Sequence, residues 1–186
     1  MAEVKTAHPI NIGGVQRELR LFEVKPGLKI AILNILGDTE LVQAAAKGLA
    51  AKMNPGSYDL LVTAETKSIP LAYALSVETG KPYVILRKEY KVYMGNALRA
   101  ETLSITTGEP QTLILDEKDV ALLKGKRVAI VDDVVSTGST LEGMREIVRK
   151  AGASITVEAA IFTEGDPQRW QDIISLGNLP LFTQIN

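Results

Sequence analysis

Short apolar runs alternate with amphipathic stretches along most of this chain. Asp59–Thr63 (DLLVT) is apolar almost throughout, as a strand covered on both faces requires. Pro82–Leu86 (PYVIL), Gln111–Leu115, Arg127–Val131 and Ile155–Phe162 read as further strands. Helical spacing lies between them. Asp38 caps a helix that runs to about Met53 and puts Leu41, Val42, Ala45, Leu49 and Met53 on one face, and NPGS closes it. A second helix spans about Ile69 to Thr79, with Pro70 in its first turn and Gly80 as its C-terminal cap. A third covers Ser139–Lys150, turns Leu141, Met144, Ile147 and Val148 toward the sheet, and ends at Gly152. Strands and helices in alternation predict an α/β fold with a central, mostly parallel sheet flanked by helices.

The two ends depart from that rhythm. Within the first 37 residues, NIGGVQRELRLFEV carries a Gly-Gly turn signal between short strands. The tail after Phe162 reads as a short helix and an extended segment. We expect residues 1–186 to form one domain, with 38–162 as its core and 1–37 and 163–186 as a small hood or flap. Arg87 to about Gly108 is long, charged and weakly periodic, and reads as a functional loop.

Composition removes several classes of chemistry. The chain has no cysteine, so thiolate metal sites and cysteine nucleophiles are out. Its one histidine, His8, reads as a solvated tail residue, and a multi-histidine metal site is excluded. The net charge of -1 gives no general pull toward nucleic acid or an anionic membrane. MAEVKTAHPI does not have the pattern of a signal peptide, and no run approaches the length that crosses a bilayer. The expected location is the cytoplasm.

The chemistry concentrates in Val128–Thr140, VAIVDDVVSTGST. A buried strand ends in two carboxylates, Asp132 and Asp133, and open α/β sheets bind ligands at that edge. Short hydroxyl residues around one glycine then lead into a helix. Backbone N–H groups at such a turn form an anion nest, Gly138 permits close approach, and Ser136, Thr137, Ser139 and Thr140 add hydroxyls. The acids repel a phosphate and suit neighbouring hydroxyls or a bound Mg²⁺. Phosphate on the nest and a diol on the acids describe a ribose 5-phosphate.

This segment resembles the phosphoribosyl-pyrophosphate (PRPP) motif of the type I phosphoribosyltransferases, and the order of elements from about Asp38 to Phe162 is similar to theirs. The resemblance implies that Asp132 and Asp133 contact the ribose hydroxyls, directly or through a Mg²⁺ that arrives with PRPP, and that Ser136 to Thr140 hold the 5′-phosphate. Ala64-Glu65-Thr66-Lys67-Ser68, between a strand and a helix, looks like the family's pyrophosphate loop; Lys67 stands where adenine enzymes usually have arginine. Arg87, Lys88 and Lys91 supply cations for the same pyrophosphate, Arg87 and Lys91 foremost. LSITTGEPQTLIL resembles the stretch where adenine enzymes carry a catalytic glutamate, but Thr106 falls at that position and Glu101 and Glu109 lie nearby. Trp170, Phe162 and Phe182 are candidates to stack on a base, against the simpler reading as core.

The expected activity is transfer of the 5-phosphoribosyl group from PRPP to a purine base, adenine first, with pyrophosphate and a purine mononucleotide as products. Asp132, Asp133, Lys67 and Arg87 are the expected catalytic set, acting by positioning and charge neutralisation, and the long loop closes to exclude water. A homodimer is expected, without nucleic acid or membrane as partner. The alternative is a regulator that binds PRPP or a nucleotide without catalysis. No segment of winged-helix length precedes residue 38, so such a regulator would work through protein partners. A P-loop and a dinucleotide fingerprint are both missing.

Overall fold

A computed structural model describes residues 6–103 and 110–183. The chain opens with three antiparallel strands, β1 (Ala7–Ile12), β2 (Val15–Lys25) and β3 (Leu28–Ala31). Gly13 and Gly14, both at positive φ, make the turn between β1 and β2, as the Gly-Gly pair predicts. Helix α1 (Thr39–Lys52) follows, and the Asp38 carboxylate accepts from the Leu41 N–H at its start. Next come β4 (Leu60–Ala64), α2 (Ile69–Thr79) and β5 (Tyr83–Leu86). Gly80 ends α2 in the left-handed region, which a residue without Cβ adopts freely. Beyond β5, β6 (Leu98–Leu103) and β7 (Pro110–Leu115) pair as an antiparallel ribbon, and a short helix, α3 (Glu117–Leu123), leads to β8 (Arg127–Val135). Helix α4 (Ser139–Lys150), β9 (Ser154–Glu164), a 3-10 turn over Pro167–Trp170, β10 (Ile174–Leu179) and β11 (Phe182–Thr183) complete the order.

Five strands form a wholly parallel sheet in the order β10-β9-β8-β4-β5. Both faces are covered, which is why its inner strands are apolar without alternation. On β8, Ala129 and Val131 face the layer of α1 and α2, with Leu41, Leu49, Leu71 and Leu75. Val128 and Ile130 face the opposite layer, with Leu141, Met144, Ile147 and Val148 of α4 and Leu113 and Leu115 of β7. Each buried Val, Ile, Leu or Met side chain among these contributes about 1.5–3 kcal/mol through burial.

The sheet and its helices agree with the expected fold class, and the differences lie at its margins. The segment Arg87–Gly108 is not loop throughout: it contains β6, whose alternating LRAETL hides a strand among charges. The tail is not only hood, because β10 pairs with β9 and extends the main sheet. Its Gly177 is packed at 3.0 Å, measured from an ideal Cβ, against the Phe162 ring, and this close approach explains a glycine inside a strand. β11 does join β3, so the two ends of the chain meet in one four-stranded sheet. His8 lies in β1, half-buried, with its ring 5.4 Å from that of Phe182 rather than free in a tail.

Candidate functional site

The C-terminal ends of β4 and β8 open onto a cavity of about 590 Å³. Its floor comes from the β4–α2 turn, Ala64 to Ser68, and from the end of β8 with the turn into α4. The other wall is apolar, formed by Ile30 to Leu33 and Leu36 where β3 leads toward α1. Parallel strands all present their carboxyl ends here, so residues distant in sequence share one edge.

Asp132 is buried and Asp133 half-buried. Ser68 Oγ lies 2.7 Å from Asp132 Oδ1 and 3.0 Å from Asp133 Oδ1, and it accepts the Asp133 N–H at 3.0 Å. One hydroxyl proton therefore serves two carboxylates. Burial, and then the charge of Asp133, push Asp132 well above the ordinary carboxylate range. Ser68 was expected to face an anion; its hydroxyl instead holds the acid pair, and the side chain is buried.

Across the turn into α4, Gly138 sits at φ +86°, and an added Cβ would lie 2.8 Å from Trp170 Cη2. Trp170 packs on this glycine while its Nε1 donates to Glu164 O at 3.1 Å. Arg169 lies with its guanidinium 4.4 Å from the Trp170 ring centre and donates to Thr137 O at 2.7 Å. The 3-10 turn thus clamps the glycine turn from behind. Ser136, Thr137, Ser139 and Thr140 line the cavity. Gly138, in N-cap position, offers no side chain to the first turn of α4; the Ser139 N–H makes only a long contact with Thr137 Oγ1 at 3.4 Å, which a ligand could replace.

Glu164, at the end of β9, also lines the cavity and is buried. It is hydrogen-bonded to Ser136 Oγ. Burial raises its proton affinity, and the Ser136 hydroxyl opposes the shift. Sequence reasoning missed this residue. The available signal was its position: a polar pair, Thr163-Glu164, follows an apolar parallel strand at the same edge as the Asp132-Asp133 pair.

The expected cations divide. Lys67 and Lys88 line the cavity. Arg87 is ion-paired with Glu65, which also accepts the Lys88 N–H at 2.8 Å, and this carboxylate raises the Arg87 guanidinium further. Lys91 pairs with Glu89 at 2.9 Å on the exposed side. Neither Arg87 nor Lys91 contributes to the cavity wall, though both were favoured over Lys88. Glu65, Thr66 and Ala64 line the cavity beside Lys67, and the Glu65–Thr66 peptide is cis. Thr106 and Glu109 lie outside the described residues. Glu101 is on β6, exposed, against the outer face of α4. Of the aromatic candidates, Phe162 is core, Phe182 meets His8 and Trp170 backs the glycine turn.

No helix among the described residues is long and apolar enough to cross a membrane. Nor do any three or more His, Asp or Glu side chains there gather to hold a metal by themselves. Two adjacent carboxylates suit a Mg²⁺ that brings most of its oxygen ligands with a diphosphate substrate.

Comparison with known proteins adds the lineage. The purine biosynthesis transcriptional repressor PurR of Bacillus subtilis is 28% identical over 161 residues, 84% of this chain and 56% of that protein. The hypoxanthine/guanine phosphoribosyltransferase of Methanococcus voltae is 39% identical over 108 residues, 58% of this chain and 54% of that one. The chain thus spans about half the length of these curated relatives. The adenine phosphoribosyltransferase structure from Thermoanaerobacter pseudethanolicus shares the fold, with a TM-score of 0.67 at 22% identity, over 93% of this chain and 95% of that one. The phosphoribosyl transferase domain model matches residues 33–175, an interval that holds the cavity's acids, its glycine turn and Glu164, and the chain belongs to that family.

Proposed function

We propose that this chain transfers the 5-phosphoribosyl group of PRPP to a purine base and releases pyrophosphate. The observation that carries the reading is the adjacency, in one cavity, of an anion nest at the α4 N-terminus, an acid pair at the end of β8 and two cavity-facing lysines. The nest at Ser136–Thr140 takes the 5′-phosphate. Asp132 and Asp133 accept from the ribose hydroxyls, held in place by Ser68. Lys67 and Lys88 face the pyrophosphate, and Arg87 joins them when the ligand competes with Glu65 for its guanidinium. Ala64, Glu65 and Thr66 line the cavity next to Lys67, and their turn is the one that would receive the pyrophosphate. Mg²⁺ supplies charge neutralisation on the pyrophosphate when it is bound, and Asp132 and Asp133 are the residues to hold it, directly or through water or the ribose hydroxyls.

Bond breaking at C1 leaves an oxocarbenium-like sugar and a departing pyrophosphate. The lysines offset the charge that develops on the leaving group, and the apolar wall of Ile30–Leu33 and Leu36 keeps water from the reacting carbon. A base nitrogen then attacks. The acceptor is a purine. The sequence favours adenine, and the fold likeness to adenine enzymes agrees. The relative at 39% identity is named for hypoxanthine and guanine, and identity at that level outweighs fold likeness, so these two precede adenine. Turnover with PRPP and a panel of adenine, hypoxanthine, guanine and xanthine tests the proposal. PRPP binding without nucleotide from any base sinks it.

A second reading rests on PurR, which aligns over 84% of the chain: a ligand-responsive regulator that binds PRPP or a nucleotide without turnover. The base panel separates the two. The first reading includes a cytoplasmic location, to be checked by cell fractionation, and a homodimer. Tyr73 and Val77, exposed one turn apart on α2, form an apolar face of the kind that association covers, and sedimentation velocity tests it.

A further inference from the structure

Glu164 presents a problem for any phosphate in the nest. It is buried, lines the cavity, and touches the loop through Ser136 Oγ. An ionised carboxylate there has two costs. It lies beside a dianion, and it takes the Ser136 proton, leaving that hydroxyl nothing to donate to a phosphate oxygen. Surrounding charges do not relieve this. β8 brings Asp132 and Asp133, and the β4–α2 turn brings Glu65 and Lys67. The segment after β5 brings Lys88. The Arg169 guanidinium is taken by Thr137 O and the Trp170 ring, and Asp166 caps the 3-10 turn. From β10 comes only the neutral Asn178, bonded to Thr163. Among the described residues Glu164 has no ion-pair partner.

We propose that Glu164 is a positioning residue for the phosphate: it takes up one proton from solvent as a phosphate monoester enters the nest, donates that proton's hydrogen bond to Ser136 Oγ, and so turns the Ser136 hydroxyl toward the phosphate. The proton balance is simple. Glu164 goes from carboxylate to carboxylic acid, no covalent bond in the ligand changes, and the proton returns to solvent on release. Burial already raises the proton affinity of this carboxylate before any ligand arrives, and the Ser136 hydroxyl opposes the shift. The inference rests on the proposed phosphate role of the Ser136–Thr140 turn.

Ribose 5-phosphate is the probe, because it needs neither a base nor turnover. Calorimetric titrations at pH 8 in two buffers of different ionisation heat count the protons. At that pH a phosphate monoester is already dianionic, its second ionisation lying near pH 6, so its own titration contributes little. Wild type should take up more protons than Glu164→Gln. Its affinity should fall more steeply with rising pH than that of Glu164→Gln, the difference reaching up to about tenfold per pH unit. Equal proton counts in the two proteins overturn the inference and leave the phosphate site standing. Failure of wild type to bind ribose 5-phosphate at any pH overturns the site reading, and the inference with it. If circular dichroism shows that Glu164→Gln does not fold, Ser136→Ala decides. Its affinity loss should be large at low pH, where Ser136 donates to phosphate, and vanish at high pH, where it donates to Glu164. A loss independent of pH overturns the proposal.

Discussion

The turn after β8 and the charged segment after β5 border one site, yet they are built in opposite ways. The turn is fixed from within the protein: Trp170 fills the space above Gly138, Arg169 holds Thr137 O, and Ser68 joins the two aspartates. The charged segment is held by ion pairs that a ligand can exchange, Arg87 on Glu65 and Lys91 on Glu89. If the proposed phosphate and pyrophosphate sites hold, the site is rigid where it receives the group it keeps and exchangeable where it receives the group it releases. The exposed Lys91–Glu89 pair contributes little to stability, on the order of 0–1 kcal/mol, so exchanging it costs little, whereas the Arg87–Glu65 pair is partly buried.

The contrast can be broken most sharply at Asp133. Asp133→Asn should weaken PRPP binding on the order of 100-fold, the loss of about two hydrogen bonds to a charged group. It should not lower the melting temperature, because it also removes a like charge beside Asp132. Calorimetry and a thermal melt check both halves, and wild-type affinity would refute the role. Gly138→Ala follows, with a cost of about 1–3 kcal/mol in stability from positive φ alone and a further displacement of Trp170. Chemical denaturation measures it; an unchanged midpoint would mean the turn is not rigid.

Next come the cations. Lys67→Ala and Lys88→Ala should each weaken pyrophosphate binding by about tenfold, one charge-assisted hydrogen bond. Lys91→Ala should change it by no more than about twofold, as an exposed pair would. Equal losses from all three would erase the distinction between wall and rim.

A separate effect, small per pH unit, is on the pH dependence of the ligand-free protein. Asp132 has a higher proton affinity folded than unfolded. The folded state therefore binds more protons than the unfolded state once pH passes the unfolded value of 3.8, and stability falls as pH rises from there through the folded value. The slope from this group cannot exceed about 1.4 kcal/mol per pH unit, the limit for one proton. Denaturant melts across that range should show the decline, and Asp132→Asn should flatten it.

What the sequence made legible is what local strings encode. The acid pair, the glycine turn and the bounds of α2 between Pro70 and Gly80 all lie within a few residues of the features that create them. What it hid depends on pairing between strands. Glu164 reaches Ser136 because β9 runs parallel to β8 in a register that sets Thr163 against Val135, and no local string carries a register. The cations misled for a related reason. Arg87 read as a free charge until the fold put Glu65 beside it, whereas the partner of Lys91, Glu89, stood two residues away in the sequence. α3 escaped notice because seven residues make too short a repeat, although Asp116, which accepts from the Lys118 N–H, marked its start.

Trp170 is the one tryptophan in the chain, and its indole rests against the turn proposed to receive the phosphate. The protein therefore carries an optical reporter at that turn. Its intrinsic emission should respond to whatever settles into the nest, and stopped-flow fluorescence can follow occupancy in the unlabelled, unmodified protein.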